Sequence, residues 1–244
     1  MTIKLIIEFL RKKGQKLSDK RADRDAKEGC VLAKVSADGS KGVVVRLSCE
    51  TDFVSKNEDF VAMTDKITQL ALDTFPADTE ALLDQDFGGI TLREKIIEQV
   101  GVIGEKVEVA DYQKIEAPQV VSYIHMGNKA GVILGLSQDG IDVSAGKDVA
   151  MQVAAMHPVA VDKDGVDSSI VEKEIEIGMD IARQEGKPEA MLEKIAMGKL
   201  NKFFKERTLL NQAFVKNNKQ NITQYLDSVS SGLTVIDFKH VKLG

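Results

Sequence analysis

The pattern of apolar and polar positions is most informative at residues 43–60, where a strand pattern passes into a helix pattern. Every second residue of the first segment is apolar, as in a strand with one apolar face: Val43, Val45, Leu47 and Cys49. The second segment has apolar residues at helical spacing: Phe60, Met63, Ile67, Leu70 and Ala71. Ser55 followed by Glu58 has the form of a capping box, which predicts that this helix begins near Ser55. Residues 51–54 are therefore predicted to form a short strand-to-helix connection.

Similar patterns along the rest of the chain predict an α+β fold. Two β-hairpins are predicted around the turn sequences Asp38-Gly39 and Gly127-Asn128, at residues 30–49 and 120–137. Helices are predicted at 55–72, 76–86, 91–100 and 144–156, and further strands at 106–116 and 233–241. The order hairpin, helices, strand thus occurs twice. We interpret this as two similar subdomains of antiparallel β-sheet with packed helices, at 29–117 and 118–244.

A pair of long helices is predicted inside the second subdomain, at about 168–206. Their apolar stripes are narrow and their other faces are charged, which is typical of an antiparallel coiled-coil hairpin. Gly186 and Pro188 lie in the turn between them, where glycine ends one helix and proline opens the next.

The first 28 residues differ from the rest of the chain. An apolar stripe predicts a helix over 1–13 that ends at Gly14: Ile3, Ile6, Ile7 and Leu10. Such a short helix cannot bury its stripe alone, so it must pack on another part of this chain or on another chain. Residues 15–28 carry charges of both signs and few apolar side chains, which predicts a solvated linker or an exposed helix.

Composition limits the classes of partner. The net charge of −5 argues against nucleic acid or an anionic membrane as the main partner, because phosphate binding needs a basic surface. No apolar run is long enough to span a bilayer, and Lys4 and Glu8 interrupt the apolar start, so we expect neither a membrane segment nor a signal peptide.

Two cysteines without metal-ligand spacing favour a reducing compartment, the cytoplasm. If the first hairpin loop is symmetric, Cys30 and Cys49 lie opposite each other and a disulfide is conceivable, although two reduced thiols are the default.

Signatures of catalysis are missing from the sequence. The run Gly101-Val102-Ile103-Gly104 lacks the Gly-Lys-Ser/Thr ending of a phosphate-binding loop. The three histidines, His125, His157 and His240, are isolated and show no metal-ligand spacing. Neither cysteine has a histidine beside it in the chain. We expect a protein that is not an enzyme and that needs no metal or cofactor.

The stretch CETDFVSKNEDF at residues 49–60 resembles the signature of bacterial elongation factor Ts. Further stretches resemble the same family in the same order: EFLRKKG, SYIHMGNKAGVILG, AMQVAAMHP, GKLNKFFKE with LLNQ, and LTVIDFKHV. The resemblance covers nearly the whole chain. It implies a guanine-nucleotide exchange factor that binds the translation GTPase elongation factor Tu in its GDP-bound and nucleotide-free forms. It also implies that GDP is released by dislodging Mg²⁺.

The resemblance also assigns roles to residues that the pattern alone leaves open. From the pattern, Asp52 and Phe53 belong either to a capped turn with a core phenylalanine or to a partner surface, and His125 is most simply structural. The resemblance implies that Phe53 inserts near the Mg²⁺ site of the GTPase, accompanied by Thr51 and Asp52. Val54 would anchor the connection. It further implies a secondary contact with the GTPase, made by His125 and Gly127.

The N-terminus departs from the family. Residues 1–14 resemble the last helix of a small N-terminal helical domain whose two preceding helices are absent here, and that domain contacts the GTPase in the family. The alternative function is therefore an interaction scaffold that binds the GTPase, or another protein, without efficient exchange. Formation of a homodimer is left open by the sequence.

Overall fold

The structure is a computed structural model that describes residues 3–244, with side chains from Lys12 onward. The α-helices are α1 (Ile3–Arg21), α2 (Asp52–Ser55), α3 (Glu58–Thr74), α4 (Thr79–Leu83), α5 (Leu92–Ile103), α6 (Val143–Met156), α7 (Ser168–Gln184), α8 (Glu189–Arg207) and α9 (Ile222–Val229). The strands are β1 (Glu28–Val35), β2 (Lys41–Cys49), β3 (Val107–Glu116), β4 (Gln119–His125), β5 (Ala130–Leu136), β6 (Ala213–Phe214), β7 (Asn217–Asn221) and β8 (Val235–Lys242). The predicted α+β class is confirmed, and every predicted hairpin and long helix has a counterpart.

The first sheet is antiparallel and has the strand order β1-β2-β3, with β2 in the centre. One face of this sheet packs against α3 and α5, and together they bury a core that includes Val45, Leu47, Ile67 and Ile96. The Asp38-Gly39 turn joins β1 to β2, and the Asp38 carboxylate accepts hydrogen bonds from Ser36 Oγ and Ser40 Oγ. The short polar turn thus fixes the register of the hairpin.

Strand β2 is buried on both faces, whereas its alternation predicted one apolar face. Val44 and Ser48, on the face predicted to be less apolar, are fully buried like Val43 and Val45. Val44 packs with residues of β4 and β5 in a second core cluster that includes Val120 and Ile133. A strand covered by helices on one side and by strands on the other needs little polar alternation.

The predicted opposition of Cys30 and Cys49 is wrong. Cys30 pairs with Leu47, and Cys49 pairs with Glu28, so the two cysteines are displaced by two positions in the ladder. The reason is the place of the turn: it is centred on Asp38-Gly39, which pairs Val35 with Gly42. Both cysteines are buried, free thiols.

Helix α1 does not end at Gly14, as the sequence predicted, but continues to Arg21. Gly14 is buried against α5, and a Cβ atom placed on it would lie 2.0 Å from the carbonyl oxygen of Ile97. The glycine therefore permits a close approach of two helices and is not a cap. The predicted stripe of Ile3, Ile6, Ile7 and Leu10 lies outside the described side chains. Of the predicted linker 15–28, the part up to Arg21 is helical.

The contacts divide the chain into two compact units, residues 1–135 with 238–244, and residues 136–237. The strands β4, β5 and β8 form a second sheet in the order β4-β5-β8. These units divide the chain differently from the predicted subdomains 29–117 and 118–244, and the internal duplication stays a prediction.

In the second unit, α7 and α8 form the predicted antiparallel hairpin. Gly178 lies against Ala196, with an added Cβ only 3.0 Å from the Ala196 Cα, so the two helices approach closely. Gly186 closes α7 in a left-handed conformation (φ 71°). The small hairpin β6–β7 and helix α9 were not predicted. No helix in the described part of the chain combines the length and apolar character needed to cross a membrane.

Candidate partner-binding site

The connection after β2 contains a helical turn of its own. The four residues Asp52–Ser55 form α2, and α3 begins only at Glu58, with Asn57 as its N-cap residue. Asn57 Oδ1 accepts a hydrogen bond from Asp59 N at 2.8 Å. The predicted capping box of Ser55 with Glu58 is therefore wrong, and Ser55 Oγ donates instead to the carbonyl oxygen of Asp52. Residues 52–55 are therefore not the first turn of α3, and the direction of their side chains is set by α2 instead.

Phe53 is the most exposed large apolar side chain among the described residues, with 85% of its surface accessible. The next residue, Val54, packs against the core of the first unit. The turn thus has an inward anchor and an outward aromatic ring at adjacent positions. A single exposed apolar side chain is normal on a protein surface, so the case for binding depends on the anchored turn and on what surrounds the ring.

A cleft of about 600 Å³ within the first unit is lined in part by Phe53. It brings together Thr51, Asp52 and Phe53 with Gly127, which is 74 positions or more further along the chain. Three of the four predicted primary contacts and one predicted secondary contact therefore share one surface. Lys56 and Lys129 also line this cleft.

A second, apolar groove of about 370 Å³ also has Phe53 in its lining. It is formed by the turn α2, by α3 and by the C-terminal end of α5, and its lining includes Val54, Met63 and Val102. Val102 is 62% exposed. Phe53 therefore lines both the cleft and the apolar groove, and no pattern in the sequence predicts the groove.

Asp52 forms an exposed ion pair with Lys56 one turn later, with an Nζ–Oδ2 distance of 2.6 Å. The hydrogen bond and the charge of Lys56 lower the pKa of the Asp52 carboxyl below its ordinary value. Asp52 is therefore an anion at neutral pH, next to the exposed ring.

The turn between β4 and β5 has an unusual backbone. Met126, Gly127 and Asn128 all have positive φ angles, of 54°, 62° and 68°. The left-handed region costs most non-glycine residues about 1–2 kcal/mol but is tolerated by asparagine, so Met126 is the strained residue of the three. The turn is tied to β1, because Val31 N donates to the Asn128 carbonyl oxygen at 2.8 Å. Met126 is also 71% exposed.

His125 ends β4 and is not part of the cleft lining. It is half-buried, and its Nδ1 lies 3.0 Å from the hydroxyl of Tyr123. The structure therefore brings Gly127, but not the His125 side chain, into the cleft that contains Phe53.

Two carboxylates that the sequence analysis missed support this site. Glu105 accepts hydrogen bonds from Thr51, and Glu50 accepts one from Lys106 N at 2.7 Å. Burial raises the pKa of Glu50, but the hydrogen bonds from Lys106 N and Arg21 outweigh burial and leave the pKa below its ordinary value. The sequence signal was slight: Glu105 directly follows Gly104, the left-handed cap of α5.

The Cys49 thiol lies behind the site and is not a candidate nucleophile. Burial, reinforced by the negative charge of Glu105, raises its pKa to about 12. Its Sγ donates a hydrogen bond to the carbonyl oxygen of Thr51 at 3.3 Å. Across residues 12–244, whose side chains are described, no group of three or more His, Cys, Asp or Glu residues could hold a metal ion.

Comparison with known proteins adds an independent finding. The family model described as Elongation factor TS matches residues 50–244. Elongation factor Ts of Christiangramia forsetii is 51% identical to this chain over 240 residues, which are 98% of this chain and 86% of the relative. Elongation factor Ts of Amoebophilus asiaticus is 50% identical over 98% of this chain and 87% of its own length, and that of Hydrogenobaculum sp. is 41% identical over 97% and 86%. With such matches over almost its whole length, and with Thr51, Asp52 and Phe53 presented on one anchored turn, this chain belongs to the elongation factor Ts family.

Proposed function

We propose that this chain is a guanine-nucleotide exchange factor that binds elongation factor Tu carrying GDP and promotes GDP release by dislodging Mg²⁺. The observation that carries the proposal is the position of Phe53. Its ring is 85% exposed, yet it sits on a turn whose next residue, Val54, packs against the core. Membership of the elongation factor Ts family supports the identity of the partner.

The mechanism requires no covalent step. A GTPase holds its nucleotide through phosphate contacts and through a Mg²⁺ ion with strict coordination geometry. An exchange factor must bind the nucleotide-free state more tightly than the nucleotide-bound state. By linkage, the bound factor weakens nucleotide binding, and the bound nucleotide weakens binding of the factor, by the same free energy. A rigid aromatic ring that displaces an element supporting the metal would provide this coupling.

Each residue of the site has a role in this proposal. Phe53 enters an apolar pocket near the metal site of the GTPase, and the Asp52 carboxylate beside it makes a polar contact at the rim. Thr51 and Val54 hold the turn in place on either side. Gly127, and His125 at the end of the same strand, contact a second part of the GTPase, which the cleft shared by Gly127 and Phe53 supports.

The test is the release of labelled GDP from elongation factor Tu, measured with increasing amounts of this protein. Phe53→Ala removes an exposed side chain, so we expect an unchanged melting temperature. Loss of a central aromatic contact costs about 2 kcal/mol or more, which corresponds to roughly a thirtyfold slower exchange. Val143→Ala is the matched control, because Val143 is also an exposed apolar residue, in the second unit.

Two results would contradict the proposal. If Phe53→Ala and the unaltered protein release GDP at the same rate, the ring has no part in exchange. If the unaltered protein binds the GTPase but does not accelerate GDP release, the chain acts as an interaction scaffold.

A further inference from the structure

Glu105 holds the backbone that leads into the Phe53 turn. It follows Gly104, whose left-handed conformation (φ 80°) ends α5 shortly before β3 begins. Glu105 Oε2 accepts hydrogen bonds from the backbone N–H groups of Glu50 (3.1 Å) and Thr51 (3.0 Å). Glu105 Oε1 accepts the hydroxyl hydrogen bond of Thr51 at 2.6 Å. One carboxylate therefore fixes three donors immediately before α2.

Glu50 makes the reciprocal contact. Its Oε1 accepts from the backbone N–H of Lys106 at 2.7 Å, and its carboxylate is also paired with Arg21 at the end of α1. The Glu50 side chain is only 13% exposed. Segments 50–51 and 105–106 thus exchange hydrogen bonds through two carboxylates, and we call these four residues, Glu50, Thr51, Glu105 and Lys106, the carboxylate clasp.

The hydroxyl of Thr51 does not cap the helix that follows it. Thr51 is the N-cap residue of α2, a position where a threonine hydroxyl commonly accepts a hydrogen bond from the helix. Here the side chain makes no capping hydrogen bond, and the hydroxyl instead donates to Glu105. A four-residue helix without a side-chain cap has little stability of its own. Its position therefore depends on the clasp before it and on the packing of Val54 after it.

We propose that Glu105 and Glu50, through the carboxylate clasp, are positioning residues for nucleotide exchange. They fix the direction in which the Phe53 side chain projects from the surface. This inference rests on the proposed function. A ring that displaces part of a partner must resist the opposing force, so the turn that carries it must be stiff. Three hydrogen bonds to one side chain provide that stiffness, because they tie the two residues before the turn to the segment that follows α5. Neither carboxylate needs to touch the GTPase.

The experiment compares Glu105→Ala with Glu105→Gln in the labelled-GDP release assay. Alanine removes the acceptor for all three donors, and we expect the release rate at saturating exchange factor to fall at least fivefold, with a smaller change in affinity for the GTPase. Glutamine keeps a carbonyl oxygen that can accept from both backbone N–H groups, so it should restore most of the rate. Glu98→Ala is the control for loss of a shielded carboxylate near the end of α5, because the Glu98 side chain is only 13% exposed and is ion-paired with Lys95. It should release GDP normally.

Amide hydrogen exchange of the isolated protein gives a readout that does not depend on the GTPase. In Glu105→Ala the backbone N–H groups of Glu50 and Thr51 lose their acceptor and should exchange at least tenfold faster, while β1 stays protected. If Glu105→Ala does not fold, Thr51→Val replaces it, because valine has the shape of threonine without the hydroxyl that donates to Glu105.

A double variant separates a positioning role from an independent contact. If Glu105 acts through the ring, Phe53→Ala combined with Glu105→Ala should release GDP no more slowly than Phe53→Ala alone. Fully additive losses would overturn the inference, and so would a normal release rate in Glu105→Ala with fast-exchanging amides. Failure of the proposed function looks different, because then Phe53→Ala itself releases GDP at the normal rate.

Discussion

The side chain of Gln152 donates a hydrogen bond to the side-chain oxygen of Gln212, 60 residues further along the chain, with an Nε2–Oε1 distance of 3.1 Å. Gln152 is fully buried in α6 and also donates to the carbonyl oxygen of Ala213. Its Oε1 accepts from Val215 N at 2.9 Å. One amide group therefore satisfies three polar groups of the segment that leads into and out of β6.

Replacement of this amide should destabilise the second unit. Gln152→Leu keeps the volume but leaves the buried groups that it contacted without a partner, and we expect a loss of about 3 kcal/mol in the free energy of unfolding. Gln184→Leu makes the same chemical change at the exposed end of α7 and should shift the value by less than about 0.5 kcal/mol. Urea denaturation measures both. Equal stability of the two variants would show that the buried network contributes little.

The close approach of α1 and α5 predicts opposite effects for two glycine-to-alanine substitutions. In Gly14→Ala the new Cβ would lie 2.0 Å from Ile97 O, so the helices must separate, at a cost of about 1–3 kcal/mol. Gly198, in α8, has no atom within 4 Å of an added Cβ. Gly198→Ala should therefore stabilise the protein by up to about 1 kcal/mol through helix propensity. Thermal melts of both variants check the signs. A stabilising Gly14→Ala would mean that the helices do not approach this closely.

The start of α3 can be tested with two alanine substitutions. Asn57 caps the helix through a side-chain hydrogen bond, so Asn57→Ala should cost about 1 kcal/mol. Ser55 lies in the preceding turn, and Ser55→Ala should cost less than half as much. Chemical denaturation gives both values. The opposite order would favour the capping box that the sequence alone predicts.

The buried thiols predict a loss of stability at alkaline pH. Burial raises the pKa of Cys49 to about 12 from 9.0, so the folded state keeps the proton that the unfolded state releases. The contribution of Cys49 to stability is therefore complete below pH 9.0 and is lost as pH rises toward 12. Cys49→Ala should lose less stability over this range. Folded protein at pH 8 should react slowly with a thiol reagent, whereas unfolded protein should expose two thiols.

Local patterns predicted much of the fold. Alternation around Asp38-Gly39 predicted the first hairpin, and helical spacing together with Gly186 and Pro188 predicted the α7–α8 pair. In both cases the information lies within a few residues, where turn chemistry and periodicity act. The sequence predicts the wrong role for Gly14, because a helix cap and a close helix crossing both favour glycine and only the neighbouring helix distinguishes them.

The candidate site was predicted only in part. The resemblance to a family identified Thr51, Asp52 and Phe53, but the support for their turn comes from Glu105, 54 residues after Thr51. No periodicity connects two such positions. Burial of Val44 in β2 could not be predicted for the same reason. It depends on strands β4 and β5, and the pattern of residues within β2 contains no information about them.

The exposure of Phe53 has a consequence for protein engineering. In the free chain the ring is in contact with water and adds almost nothing to folding, so a polar residue at position 53 would be tolerated or even preferred by selection for expression or heat resistance. A library screened only for those properties would tend to lose the phenylalanine and still yield well-folded proteins. Stabilised versions of this chain should therefore be selected with position 53 held constant.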